Sequence, residues 1–155
     1  MSETGLDVET RAAPQMEATA PDGPLVGIIM GSKSDMDEMK KAGEVLEQAE
    51  VTYEIEVMSA HRDPDRVAEY CRSARRRGVR VIIAGAGISA ALPGVAAAHT
   101  DLPVIGVPLS GRLTAAGGLD AILSIVQMPP GVPVGCVGLD NPRNAAHLAV
   151  RILAI

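Results

Sequence analysis

"LVGIIMGSKSD" (residues 25–35) decides the fold. Its first six residues are an unbroken apolar run, whereas a strand with one wet face alternates polar and apolar side chains. A run of this kind fits a strand buried on both faces, the usual condition inside a parallel sheet. The run stops at Gly31, and apolar residues then recur at helical spacing: Met36, Met39, Ala42, Val45, Leu46 and Ala49. The stretch is the opening of a strand–helix–strand unit.

The alternation continues down the chain. "TYEIEV" (52–57) leads to a helix expected over 64–77, and "VRVIIA" (79–84) to a short Ala-rich helix ending at His99. "LPVIGV" (102–107) leads to a helix around 119–126, and "VPVGCVGL" (132–139) to a last helix over 143–155. Five such units in succession require a parallel sheet with right-handed crossovers and helices on both faces. A chain of 155 residues is too short for an eight-unit barrel. The expectation is an α/β fold: a three-layer flavodoxin-like sandwich, its five-stranded parallel sheet in the order 2-1-3-4-5.

Composition narrows the function. The net charge is −5, but residues 1–24 carry five acids and one base, leaving 14 acids and 13 bases for the remainder. No basic surface for duplex nucleic acid is implied. Two Tyr with no Phe or Trp leave no platforms for stacking single-stranded bases. No apolar run reaches the ~18 residues that span a membrane, and the N-terminus has no apolar leader. The expectation is a soluble, cytoplasmic protein that engages neither nucleic acid nor membrane. Cys71 and Cys136 stand far apart, without CxxC spacing or a His in metal-ligand register, and are expected to be reduced thiols in or near the core.

"MSETGLDVETRAAPQMEATAPDGP" (1–24) is polar, acidic and aperiodic, as expected of a disordered tail ahead of one catalytic domain over 25–155. The run Arg75, Arg76, Arg77 closes a helical pattern, where it is expected to complement the helix C-terminus in solvent.

With strand order 2-1-3, the loops after the first three strands are neighbours at the carboxyl edge, where such sheets bind ligands. In the first loop, Ser32, Ser34 and Asp35 begin a helix. They either cap its free N–H groups or cradle a phosphate there, and the sequence leaves both open. In the third, "GAGISA" (85–90) matches GxGxxA, yet no acid ends the next strand to hold a ribose. Gly85, Ala86 and Gly87 read instead as a close backbone approach to a small ligand.

The second loop, "SAHRDP" (59–64), holds the one His of the three. Pro64 suits the first helical position with Asp63 as N-cap, which leaves His61 and Arg62 ahead of the cap. An imidazole gives and takes protons near neutrality, and an adjacent guanidinium grips a phosphate or carboxylate with two bonds. His99 and His147 fall in helices and are expected to face solvent or a subunit contact.

Taken together, "MGSKSD", "SAHRDP", "IIAGAG…LPG", "PVIGVP", "LSIVQMPPGVPVG" and "NAAHLAVRILA" resemble the N5-carboxyaminoimidazole ribonucleotide mutase family of purine biosynthesis. The motifs stand in the family's order and spacing over residues 25–154. The resemblance implies a homo-octamer with sites at subunit interfaces, and functional coupling to an ATP-dependent N5-carboxylating synthetase. It implies a metal-free and cofactor-free shift of a carboxylate from the exocyclic nitrogen to C4 of an aminoimidazole ribonucleotide. Carried over by motif, Ser32, Asp35 and Arg62 would hold the ribose phosphate, with Ser34 in the same turn. Ser59, Ala60 and the backbone of Gly85, Ala86 and Gly87 would line the base, Ser89 and Leu92 would extend that wall, and His61 would be the general acid–base.

The chemistry suits these residues. A carbamate sheds carbon dioxide once its nitrogen is protonated, and the freed amine makes C4 nucleophilic. Capture at C4 then requires loss of the C4 proton. One imidazole can serve both transfers if the gas is held in a small closed site.

The chain departs from the family in its third loop, where "GAGISAALPG" stands for the usual GAGGAAHLPG: Ala91 replaces a His, and Ile88-Ser89 replace Gly-Ala. Asp63 replaces Thr, and Pro130 stands where Arg is common. Two alternatives follow. One is a carboxylase or decarboxylase that handles carbon dioxide directly on aminoimidazole ribonucleotide or a related nucleotide. That class has Lys after the loop histidine, so Arg62 and "QMPPG" favour the mutase. The other is a non-catalytic nucleotide-phosphate binder on the same fold.

Overall fold

The structure, a computed structural model, describes residues 22–155; the tail expected over 1–24 lies, apart from its last three residues, outside the described residues. The elements run β1 (Val26–Met30), α1 (Met36–Gln48), β2 (Tyr53–Val57), α2 (Pro64–Ala74), β3 (Val81–Gly87), α3 (Leu92–Ala98), β4 (Val104–Leu109), α4 (Leu119–Val126), β5 (Gly135–Cys136) and α5 (Pro142–Leu153). The sheet order is β2-β1-β3-β4-β5 and every pair is parallel. The expected three-layer arrangement is therefore present.

Burial explains why the apolar runs are unbroken. Successive residues of each inner strand point to opposite faces, and both faces are covered. Ile29, Ile82 and Ala84 pack with Val67 and Cys71 of α2, Leu92 and Ala96 of α3 and Ile125 of α4. Ile28, Met30, Ile83, Ile105 and Val107 pack on the other side with Met39 and Leu46 of α1 and Ala145 and Ala149 of α5. Burying each of the Val, Leu, Ile and Met side chains among them stabilises the fold by about 1.5–3 kcal/mol, so no aromatic core is needed.

Four expectations need correction. β3 extends three residues past its apolar run, through Gly85, Ala86 and Gly87: β1 pairs with it as far as Gly85, and β4 pairs with it through Gly87. At Gly85 a side chain would have to displace Met39: a Cβ there would come within 2.4 Å of the Met39 sulfur. β5 spans two residues instead of eight, since Pro133 has no N–H for the ladder and the strand lies at the sheet edge.

The helix expected over 64–77 ends at Ala74 and tightens into a 3-10 turn, Arg75–Arg77, stopped by Gly78 at φ 105°. Arg77 is also no solvated terminal charge. Its guanidinium lies 4.5 Å from the Tyr70 ring centroid and pairs with Glu54 of β2 at 2.7 Å, tying α2 to the edge strand.

Cys71 is a buried free thiol whose pKa burial pushes up to about 11, with the Arg77 charge pulling the other way. Cys136 is half-buried and free. Among the described residues no helix is long and apolar enough to cross a membrane.

Candidate active site

The loop after β2 is shaped by its own backbone. Met58 extends the sheet by donating its N–H to the Met30 carbonyl at 2.8 Å, and the Asp63 N–H then turns back onto the Ser59 carbonyl at 2.8 Å. That turn leaves His61 and Arg62 exposed at the strand tip, ahead of Pro64. Asp63 occupies the N-cap position as expected but makes no side-chain capping bond. Its carboxylate is not what starts the helix; the fixed φ of Pro64 is.

The loop after β1 resolves the choice between cap and cradle in part. Ser32 caps the 3-10 turn Lys33–Asp35, accepting the Ser34 N–H at 3.3 Å, and Ser34 Oγ donates to Ser32 Oγ at 2.9 Å. Asp35 precedes α1 without capping it, so its carboxylate is free to face the site. Burial raises the Asp35 pKa above its ordinary value, against hydrogen bonds from Ser32 and Ser34 and the Arg62 charge, which lower it. Arg62 Nη2 donates to the Gly31 carbonyl at 2.8 Å, joining the two loops.

These loops open into a cavity of about 670 Å³ beyond the carboxyl ends of β1, β2, β3 and β4, within the range of small-molecule sites. Ser32, Ser34, Asp35, Ser59, Ala60, His61, Arg62, Ala86, Gly87, Ser89 and Leu92 all line it. Gly85 does not: it is buried below the floor, where its carbonyl accepts the Gly31 N–H at 3.3 Å. His99 and His147 lie elsewhere. His99 is half-buried at the end of α3 with Nδ1 3.3 Å from Arg72 Nη2, so it faces an arginine, and His147 is exposed on α5.

The sequence reading overlooked a fourth wall, formed by Leu109 at the end of β4 and residues 110–114 after it. It carries Arg112, a second cation on the cavity, and Ser110, whose N–H and hydroxyl both donate to the Asp140 carboxylate. Ile88 lines the cavity too, 49% exposed and at φ 58°, a backbone region that a β-branched residue rarely enters. Among the described residues no group of three or more His, Cys, Asp or Glu side chains is placed to hold a metal ion.

Chemically, the arrangement offers a cation and hydroxyls for an anionic group and an exposed imidazole for proton transfer. Its floor is of small residues, so a planar ring can approach the backbone.

Known proteins resemble this chain in sequence and fold. The profile of the family described as AIR carboxylase matches residues 25–155. The N5-carboxyaminoimidazole ribonucleotide mutase of Pyrococcus abyssi is 61% identical over 132 residues, covering 85% of this chain and 75% of that protein. The enzyme of the same name from Aquifex aeolicus is 57% identical over 132 residues, covering 85% and 78%. Phosphoribosylaminoimidazole carboxylase of Schizosaccharomyces pombe is 50% identical over 155 residues, covering 99% of this chain and 28% of that longer protein. Treponema denticola PurE superposes with a TM-score of 0.73 at 34% identity, covering 84% of this chain and 80% of that one. By sequence and by fold, the chain belongs to the AIR carboxylase family.

Proposed function

We propose that the chain is an N5-carboxyaminoimidazole ribonucleotide mutase, an isomerase of purine biosynthesis that moves a carboxylate from N5 to C4. The observation that carries the reading is the meeting of His61 and Arg62 with Ser32 and Asp35 on one cavity floored by Ala86 and Gly87. Relatives at 57–61% identity bearing that name support it.

Arg62, Ser32 and Ser34 bind the phosphate, their donors converging at the start of α1, where backbone N–H groups also favour an anion. Asp35 takes the ribose hydroxyl side of that subsite. Ser59, Ala60, Ala86, Gly87, Ser89 and Leu92 hold the ring. His61 protonates N5, and the N5–carboxyl bond breaks with its electron pair left on nitrogen. The freed amine raises electron density at C4, which attacks carbon dioxide, and His61 takes the C4 proton. The second transfer restores the proton that the first one spent, so the imidazole ends the turnover in the form in which it began.

The reading includes the assembly and the setting. The catalytic unit is residues 25–155, working as a homo-octamer in the cytoplasm and supplied by an ATP-dependent N5-carboxylating synthetase, since the carbamate substrate is short-lived. Support for assembly comes from α4, where Leu119, Leu123 and Val126 are 47%, 47% and 45% exposed on one helical face. Free Cys71 and Cys136 fit a reducing compartment.

A second reading, direct carboxylation of aminoimidazole ribonucleotide, draws on the likeness to the fungal carboxylase and on Ala91. A two-substrate assay separates them. The mutase reading expects rapid conversion of the N5-carboxylated substrate and little activity on aminoimidazole ribonucleotide with bicarbonate at millimolar levels. The reverse preference overturns it, and tight binding without turnover of either favours a binder.

A further inference from the structure

Residues 110–114 form one wall of the cavity, yet the hydrophobic core does not hold them: Gly111, Arg112 and Leu113 are exposed. Two carboxylates do. Asp140 Oδ1 accepts the Ser110 N–H at 2.7 Å and Oδ2 accepts the Ser110 hydroxyl at 2.5 Å. At the far end, Asp120 Oδ2 accepts the Ala115 N–H at 2.9 Å. Between these anchors the loop closes on itself through Gly111 and Thr114.

Asp140 itself lies outside the cavity, in the turn before α5. It is not spent on that helix, because Asn141 caps α5 by accepting the Asn144 N–H at 3.1 Å. Its backbone is held at φ 52°, a left-handed region that Asp enters more readily than most residues and Gly adopts freely, while its N–H donates to the Pro108 carbonyl at 2.9 Å. A residue with both carboxylate oxygens on one serine of the site is arranged to fix that serine.

We propose that Asp140 is a positioning residue that holds residues 110–114 against the cavity, so that carbon dioxide released from N5 is captured at C4 and not lost. The inference rests on the mutase reading. In productive transfer, N5 gains a proton from His61 as its bond to carbon dioxide breaks, and the C4 proton passes to His61 as the new C4–carbon bond forms. When the gas escapes first, C4 keeps its hydrogen, and the products are aminoimidazole ribonucleotide and carbon dioxide. The order of the loop is therefore read in the ratio of the two products as well as in the rate.

The test gives full-length protein the N5-carboxylated substrate and quantifies both products, subtracting the enzyme-free rate. Asp140→Gly removes the carboxylate while accepting the left-handed backbone, and Asp140→Asn keeps one acceptor for the Ser110 N–H. The expected result is a five- to tenfold larger decarboxylated share in the Gly variant, with most of the wild-type ratio restored by Asn. Amide hydrogen exchange at residues 111–115 is expected to quicken in the Gly variant by a similar factor. An unchanged product ratio in Asp140→Gly overturns the proposal. A wild-type protein that converts none of the substrate refutes the mutase reading instead; exchange rates unchanged by Asp140→Gly then overturn the clasp on their own.

Discussion

The Arg62 guanidinium reaches across from the β2 loop to the β1 loop and donates to the Gly31 carbonyl at 2.8 Å. One side chain therefore fixes the spacing between the imidazole-bearing loop and the Ser32–Asp35 turn while leaving its other donors for an anion. Arg62→Lys keeps the charge but loses the planar fork. Losing a charge-assisted hydrogen bond costs about 1.5–3 kcal/mol, so KM is expected to rise roughly ten- to a hundredfold. A smaller change in kcat, read by steady-state kinetics, would identify a binding role; an unchanged KM would exclude one.

Asp35 sets ligand binding against stability. Its pKa is raised above the ordinary 3.8, chiefly by burial. The folded state thus binds its proton more readily than the unfolded state does. The stability this lends is present below the unfolded pKa and lost as pH rises through the folded one, so the ionised carboxylate burdens the fold at neutral pH. Asp35→Asn is expected to raise the melting temperature at pH 7, with the gain fading as pH falls through the range where Asp35 itself protonates, and to weaken substrate binding. Melting curves at pH 7 and pH 4 check the sign. A lower melting temperature at pH 7 would contradict it.

Ile88 holds a left-handed backbone conformation that suits Gly and strains a β-branched residue. A non-Gly residue at φ 58° costs on the order of 1–3 kcal/mol, and Ile88 is half exposed, so little burial offsets it. Ile88→Gly relieves the strain and gives back part of it as unfolded-chain entropy. The expected net is a rise of about 2–4 °C in melting temperature, measured by calorimetry. A fall would contradict it.

The Arg77–Glu54 pair is partly buried, at 34% and 25% side-chain exposure, and Arg77 also covers the Tyr70 ring. Arg77→Ala leaves Glu54 unpaired and uncovers the ring. A loss between the surface and buried limits is expected, about 1–2 kcal/mol, or a drop of roughly 3–6 °C. Activity of the folded variant should be unaltered, because the pair lies on the α2–β2 side of the sheet and not among the cavity residues.

Most of the fold was legible because the inner strands are apolar on both faces. The runs 25–30 and 79–84 can be little else once helices alternate with them. β5 was not: its apolar residues are real, but Pro133 and an edge position confine its ladder to two residues, which composition alone does not reveal. Gly85–Gly87 read as a loop because glycine disfavours strands, and it is pairing with β4 throughout, and with β1 at Gly85, that keeps it extended. In the site, three walls were legible from charged and hydroxyl residues beside strand ends. The fourth was hidden. Ser110, Gly111 and Thr114 look like any surface turn, and the Asp140 that orders them lies 30 residues on, with no local pattern to connect the two. Arg77 was misjudged for the same reason, since its partner Glu54 is 23 residues away on another element.

The central claim is that His61 moves the protons of the transfer. The most direct measurement is conversion of N5-carboxyaminoimidazole ribonucleotide by the His61→Asn variant beside wild type, with binding of the product nucleotide followed in parallel. The account predicts a fall in kcat of at least about 100-fold with near-normal binding, because Asn keeps hydrogen-bonding capacity but cannot titrate. Near-normal turnover by the variant would remove His61 from its role and the mechanism with it.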